Sequence, residues 1–142
     1  MKMLKAGKME GLAHIGLFVS DLERSKNFYC DVLGFTPIFS YDSAEENDGS
    51  ATHICFIQNG NLIIELVKFD NAEHQKHRKD GLFDHVAIHV ENIEEVRDQL
   101  LAKGIRFESD DIVHKPHVFA NGSKWLLFRG PDNEHLEIAE VF

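Results

Sequence analysis

The chain has 142 residues, 43% of them hydrophobic and 27% charged, the balance of one folded domain with a core of its own rather than of a disordered segment. A formal net charge of −9 argues against a nucleic-acid partner, because phosphate binding needs clustered Lys and Arg. No apolar run approaches the roughly 20 residues needed to cross a membrane, the opening Met1-Lys2-Met3-Leu4-Lys5 lacks the features of a signal peptide, and Cys30 and Cys55 read as reduced thiols, so the expected location is the cytoplasm.

Residues 1–10 carry Lys2, Lys5 and Lys8 without a clean period and read as an arm. Residues 12–20 are apolar nearly throughout and read as a strand buried on both faces. Ser20-Asp21-Leu22-Glu23 then forms a capping box, with Ser20 and Glu23 satisfying the first N–H groups of a helix. Leu22, Tyr29, Val32 and Leu33 make the apolar stripe of that helix, and Gly34 ends it. Strands are expected at residues 35–41, 51–58 and 62–69. An acidic loop at residues 42–50 and an Asn59-Gly60 hairpin turn separate them.

Residues 70–80 are densely charged, carry His74, His77 and a basic run at residues 76–79, and read as a solvated linker. A second series follows. Residues 82–90 form a strand, and residues 92–103 a helix with Ile93, Val96 and Leu100 on one face, closed by Gly104. Strands are expected at residues 105–108, 124–129 and 135–141, the last two joined by the turn sequence Gly130-Pro131-Asp132-Asn133. Residues 110–122, with His114, Pro116 and His117, read as a long loop.

The two series are copies. Ala13-His14-Ile15-Gly16-Leu17-Phe18-Val19 and Asp84-His85-Val86-Ala87-Ile88-His89-Val90 stand half a chain length apart, each followed by a cap-rich acidic segment. Phe56 precedes Glu65 by nine residues, and Phe128 precedes Glu137 by nine. After the arm, a single domain at residues 11–142 therefore divides into module 1 (residues 11–70), the linker (residues 70–80) and module 2 (residues 81–142). Each module runs strand, helix, strand, strand, strand, an α+β pattern.

Chemistry gathers on four residues. Alternation puts Ile63, Glu65 and Val67 on one face of a strand whose other face is Leu62, Ile64 and Leu66, so Glu65 is expected to be largely buried. Glu137, between Leu136 and Ile138, has the same setting. A buried carboxylate is costly unless paired, protonated or bound to a metal. His14 and His85 alone would read as ordinary strand-end histidines. Two His and two Glu at equivalent places in a duplicated unit instead suggest a metal site around a pseudo-two-fold axis. Imidazole and carboxylate donors suit a divalent ion such as Ni, Zn, Co or Mn and leave positions open for substrate. His89 shares the face of His85 and is a candidate substrate contact; His117 and Arg129 are weaker ones.

The run from His14 through Ser25, with Phe28-Tyr29 and Asp31-Val32-Leu33-Gly34-Phe35, resembles the opening of vicinal oxygen chelate proteins, the glyoxalase, bleomycin resistance and dioxygenase superfamily. Phe128-Arg129-Gly130-Pro131-Asp132 with Leu136-Glu137 resembles their closing motif. The resemblance implies tandem βαβββ modules curled into an open barrel around a metal, a small-molecule substrate and a homodimer. The ligand order His, Glu, His, Glu is similar to that of glyoxalase I, which implies a lyase or isomerase that moves a proton beside a metal-bound carbonyl, with Glu65 and Glu137 as ligands and proton carriers. Bacterial glyoxalase I typically has Arg and Asn as glutathione anchors where this chain has Phe18 and Phe69. A methylmalonyl-CoA-type epimerase and a metal-free ligand-sequestering protein are the alternative expectations.

Overall fold

The fold was analysed on a computed structural model, which describes residues 7, 12–43, 47–76 and 83–142. The expected N-terminal arm, apart from Gly7, and His77 lie outside the described residues. Module 1 consists of β1 (Ile15–Phe18), α1 (Leu22–Asn27), which continues as a π-helical turn over Phe28–Val32, β2 (Thr36–Ser43), β3 (Thr52–Asn59) and β4 (Leu62–Phe69). The short α2 (Glu73–Lys76) lies in the expected linker. Module 2 consists of β5 (Val86–His89), α3 (Ile93–Ala102), β6 (Val113–Lys115), β7 (Ser123–Arg129) and β8 (His135–Val141). Among the described residues no helix is long and apolar enough to cross a membrane.

Each module folds into its own four-stranded sheet, in the orders β1-β4-β3-β2 and β5-β8-β7-β6. In each, the first strand runs parallel to the last, which requires the intervening helix as a crossover, while the other pairs are antiparallel hairpin neighbours. The α+β class and the tandem βαβββ plan expected from sequence are therefore the architecture observed.

Period-2 alternation assigns the faces. One face of sheet 1 presents Cys55, Ile57, Ile64 and Leu66, and the matching face of sheet 2 presents Leu126, Phe128, Leu136 and Ile138; all eight are essentially buried. They join Tyr29 and Phe35 from the first crossover and Ile93 and Leu100 from the second in one hydrophobic core. Each such side chain is worth about 1.5–3 kcal/mol relative to exposure. Gly34 (φ +77°) and Gly104 (φ +90°) end the two crossover helices in the left-handed conformation that favours glycine.

The crossovers are tied down by carboxylates from module 2. The N-cap of α1 is Asp21, whose side chain accepts from Arg24 N. Ser20, the expected cap, instead donates its hydroxyl and backbone N–H to Asp132. The sequence signature failed here because a tertiary partner outcompeted the local one. Asp132 N donates to Glu134, whose other oxygen accepts from the fully buried Tyr29 hydroxyl at 3.2 Å. Burial pushes the pKa of Tyr29 far above the phenol range and raises that of Glu134. Glu140 likewise accepts from the N–H groups of Asn92 and Ile93 at the start of α3.

Two expectations are corrected. Residues 105–108 are not a strand; they make a single bridge, Phe107 to Phe128. The edge strand of sheet 2 is β6, inside the expected loop, where Val113-His114-Lys115 is too short and polar to show alternation, as edge strands often are. The equal Phe-to-Glu spacings also hide a difference. Phe56 pairs directly with Glu65, whereas Glu137 pairs with Leu127 and Phe128 pairs with Leu136. The turn Asn59-Gly60-Asn61-Leu62 is tight, while Arg129 and His135 flank a longer one. The change of parity sends Phe56 to the face of Glu65 and Phe128 to the core.

Candidate metal and ligand site

The faces opposite the core carry the candidate residues. His14 stands just before β1 and Glu65 on β4, where it pairs with Gly16. A Cβ on Gly16 would lie 3.8 Å from the Glu65 carboxylate, an ordinary contact, so any small residue fits opposite it. In module 2, His85 stands just before β5 and Glu137 pairs with Ala87, the same arrangement with another small residue opposite. The parallel pairing of first and last strands is what brings residues from opposite ends of a module side by side.

Two His–Glu pairs result. His14 Nε2 lies 3.8 Å from Glu65 Oε2, and His85 Nε2 lies 3.9 Å from Glu137 Oε1. Both distances exceed a hydrogen bond. Two donors bound at about 2.1 Å to one ion stand about 3.4 Å apart when adjacent in a tetrahedron and no more than about 4.2 Å apart in any geometry, so each pair lies within the span of one ion but wider than adjacent tetrahedral ligands. The Glu137 side chain is only 15% exposed. Burial raises its pKa above the ordinary carboxylate value, with His85 and His135 opposing the shift. A desolvated carboxylate facing an imidazole edge is a donor set that fits a borderline divalent cation. The structure brings His14 to Glu65 and His85 to Glu137. It does not bring the two pairs together: among the described residues no group of three or more His, Cys, Asp or Glu is placed to hold an ion.

The surroundings of the pairs differ. On sheet 1 the His14 ring stands edge-on to Phe56, centroids 5.2 Å apart, and Phe39 tilts against both Phe56 and Tyr41. Phe18 and Phe69, the residues at the glutathione-anchor positions, stack with centroids 5.4 Å apart. On sheet 2, a cavity of about 330 Å³ lies over Glu137, walled by Trp125, Ala139, Val141 and Ser123, with His89 and Phe119 at its rim. The expected placement of His89 on the Glu137 face is what the register shows. Phe119 holds φ +61°, a strained conformation for a bulky side chain, and is 67% exposed. His117 and Arg129 do not border this cavity; Arg129 is held by Glu108 at 3.0 Å.

Sequence reading passed over Trp125, Phe119 and Ser123, although Ser123 and Trp125 alternate with core residues of β7 and the period-2 pattern carries that signal. Asp84 was also missed. Its carboxylate lies 2.7 Å from Nδ1 of His85, and adjacency in sequence was the only clue. Two histidine clusters lie elsewhere: His53 bridges Asp42 and Asp70, and His74 faces Asp48.

Comparison with known proteins identifies the family. The family model of the Glyoxalase/Bleomycin resistance protein/Dioxygenase superfamily matches residues 11–138. An uncharacterized Bacillus subtilis protein, YwkD, is 32% identical over 93% of this chain and 98% of its own. A Synechocystis protein named probable lactoylglutathione lyase is 29% identical, covering 92% and 95%. The crystal structure of a glyoxalase family protein from Enterococcus faecalis superposes with a TM-score of 0.71 at 26% identity, over 92% of this chain and 98% of that one. A match over nearly the whole chain, both βαβββ modules included, means that the protein belongs to the glyoxalase/bleomycin resistance/dioxygenase superfamily.

Proposed function

We propose that this protein is a cytoplasmic, divalent-metal-dependent isomerase or lyase that moves a proton on the carbon beside a carbonyl group of a small molecule. The observation that carries this reading is the pair of equivalent His–Glu couples, His14 with Glu65 and His85 with Glu137, each close enough for one ion to span. An ion held by these side chains would act as a Lewis acid, meeting negative charge on the carbonyl oxygen as the adjacent C–H is broken. Each carboxylate has a second oxygen with which to take the proton and return it. Burial makes Glu137 more basic than an ordinary glutamate, and mostly apolar side chains line the cavity around it.

Because the two couples sit on separate sheets, the four-ligand site is completed by a second copy of the chain, module 1 of one facing module 2 of the other. The exposed aromatic residues Phe39 (62%) and Tyr41 (44%) lie on the Glu65 side of sheet 1 and support such a cover, since soluble surfaces seldom leave aromatic clusters open. The stacked Phe18 and Phe69 offer no charge to the carboxylates of glutathione, which favours a substrate without them. A methylmalonyl-CoA-type epimerase would use the same two carboxylates.

A second reading, a metal-free ligand-sequestering protein, is favoured by the apolar cavity over Trp125. One experiment separates them. The wild type and a Glu65→Gln/Glu137→Gln variant are stripped, reloaded with Ni, Zn, Co or Mn and measured by elemental analysis and light scattering. The enzyme reading expects near-stoichiometric metal on a wild-type dimer and none on the variant. A wild type that retains no ion under any loading would sink it in favour of sequestration.

A further inference from the structure

Among the described residues, His85 has a carboxylate partner at Nδ1 that His14 lacks. Asp84 Oδ2 lies 2.7 Å from His85 Nδ1, and the same oxygen is 3.9 Å from Nδ1 of His135. The residue before His14 is Ala13, and the His14 ring rests against Phe56 instead. His135 stands beside the pair: its ring is 6.1 Å from that of His85, and its Nε2 is 3.1 Å from Glu108, which Arg129 holds. A neutral imidazole has one N–H, and the bond made by one nitrogen decides which nitrogen keeps its lone pair. An ionised carboxylate only accepts. With Asp84 at Nδ1, that nitrogen carries the hydrogen and the lone pair stays on Nε2, the atom 3.9 Å from Glu137.

We propose that Asp84 is a positioning residue that holds His85 in the Nδ1–H tautomer with its Nε2 lone pair turned toward Glu137, so that module 2 presents a pre-set half-site and module 1 an adaptable one. The consequence for an ion rests on the metal reading above; the tautomer does not. The Asp84 side chain is 84% exposed, so it has little to do with folding, and its effect is on the state of the ring. A carboxylate behind a ligating histidine orients the ring and raises its donor strength.

The test reads the ring directly. Metal-free, ¹⁵N-labelled protein is taken at about pH 8.5, well above the ordinary histidine pKa, and the imidazole nitrogens are followed by long-range ¹H–¹⁵N correlation, with His85 assigned by its loss in His85→Gln. The wild type should show an unprotonated Nε2 and a protonated Nδ1. Asp84→Ala should average the two nitrogens, and Asp84→Asn, whose amide oxygen accepts the same bond, should restore the wild-type pattern. In Zn²⁺ titrations Asp84→Ala should bind about 10–100-fold more weakly than wild type, and Asp84→Asn close to it. An averaged or Nε2–H ring in the wild type, or one unchanged in Asp84→Ala, overturns the proposal. A wild type that binds no Zn²⁺ yet shows the Nδ1–H ring overturns the metal reading and upholds the role of Asp84.

Discussion

In module 1 the residue four places after the His and the residue four places after the Glu are Phe18 and Phe69, whose rings stack 5.4 Å apart. In module 2 the same places hold His89 and Val141, which border a cavity of about 330 Å³. The backbones around them have the same strand order and the same parallel pairing of first and last strands. The contrast shows that the duplicated frame sets where the His–Glu couples stand, while side-chain volume at two positions per module decides whether the neighbouring face is filled or hollow. A filled aromatic face makes a wall, and a hollow one leaves a cavity.

The comparison breaks most visibly at the carboxylates. If the modules are equivalent ligand sources, Glu65→Gln and Glu137→Gln should each abolish stoichiometric metal retention, and each should lower proton transfer by about 10²–10⁴-fold once a substrate is found. Elemental analysis of the single variants would expose any asymmetry, since a variant that keeps its metal removes that module from the site.

Next in size is Gly130→Ala. A Cβ there would overlap the Glu134 side chain, Cγ included, not merely its far end. Glu134 holds the buried Tyr29 hydroxyl, so urea unfolding should show a loss of about 2–4 kcal/mol from strain and a broken buried bond. Module 1 has a tight turn at the corresponding hairpin and no such glycine-dependent knot, so Gly60→Ala should be costly only through its left-handed backbone (φ +58°), about 1–2 kcal/mol.

A smaller effect belongs to the aromatic pair. A double-mutant cycle of Phe18→Leu and Phe69→Leu should give a coupling of about 0.5–1.5 kcal/mol, and the parallel cycle of His89→Leu and Val141→Leu a coupling near zero. Equal couplings would remove the distinction between a packed and a hollow face.

The smallest effect is on pH dependence, away from the site. A hydrogen bond from His53 to Asp42, joined by one to Asp70, raises the pKa of His53 above its ordinary 6.5. The folded state therefore favours the imidazolium. That stabilisation is fully present below about pH 6.5 and fades as pH rises through the raised value. The Tm difference between wild type and His53→Asn should be positive at pH 6 and shrink toward pH 9. Exposure keeps it slight, and a difference that grows with pH would refute the assignment.

Local pattern was enough to read much of this protein. β4 and β8 begin and end at the residues where alternation and turn residues placed them, and Gly34 and Gly104 close the crossover helices as expected. The duplication, the α+β class and the candidates His14, Glu65, His85 and Glu137 also came from spacing alone, because strand and helix periods are set by the backbone and survive in any context. Long-range geometry decided the rest. Ser20 left its helix for Asp132, a residue of the other module. Phe128 turned to the core because its hairpin turn differs in parity from that of Phe56. β6 formed in a polar segment because the free edge of β7 offered it hydrogen bonds. The division of the four candidate residues into two couples, one per sheet, is likewise a property of how the sheets are arranged. Spacing along a chain says which residues share a face, but only the packing of sheets says which faces meet.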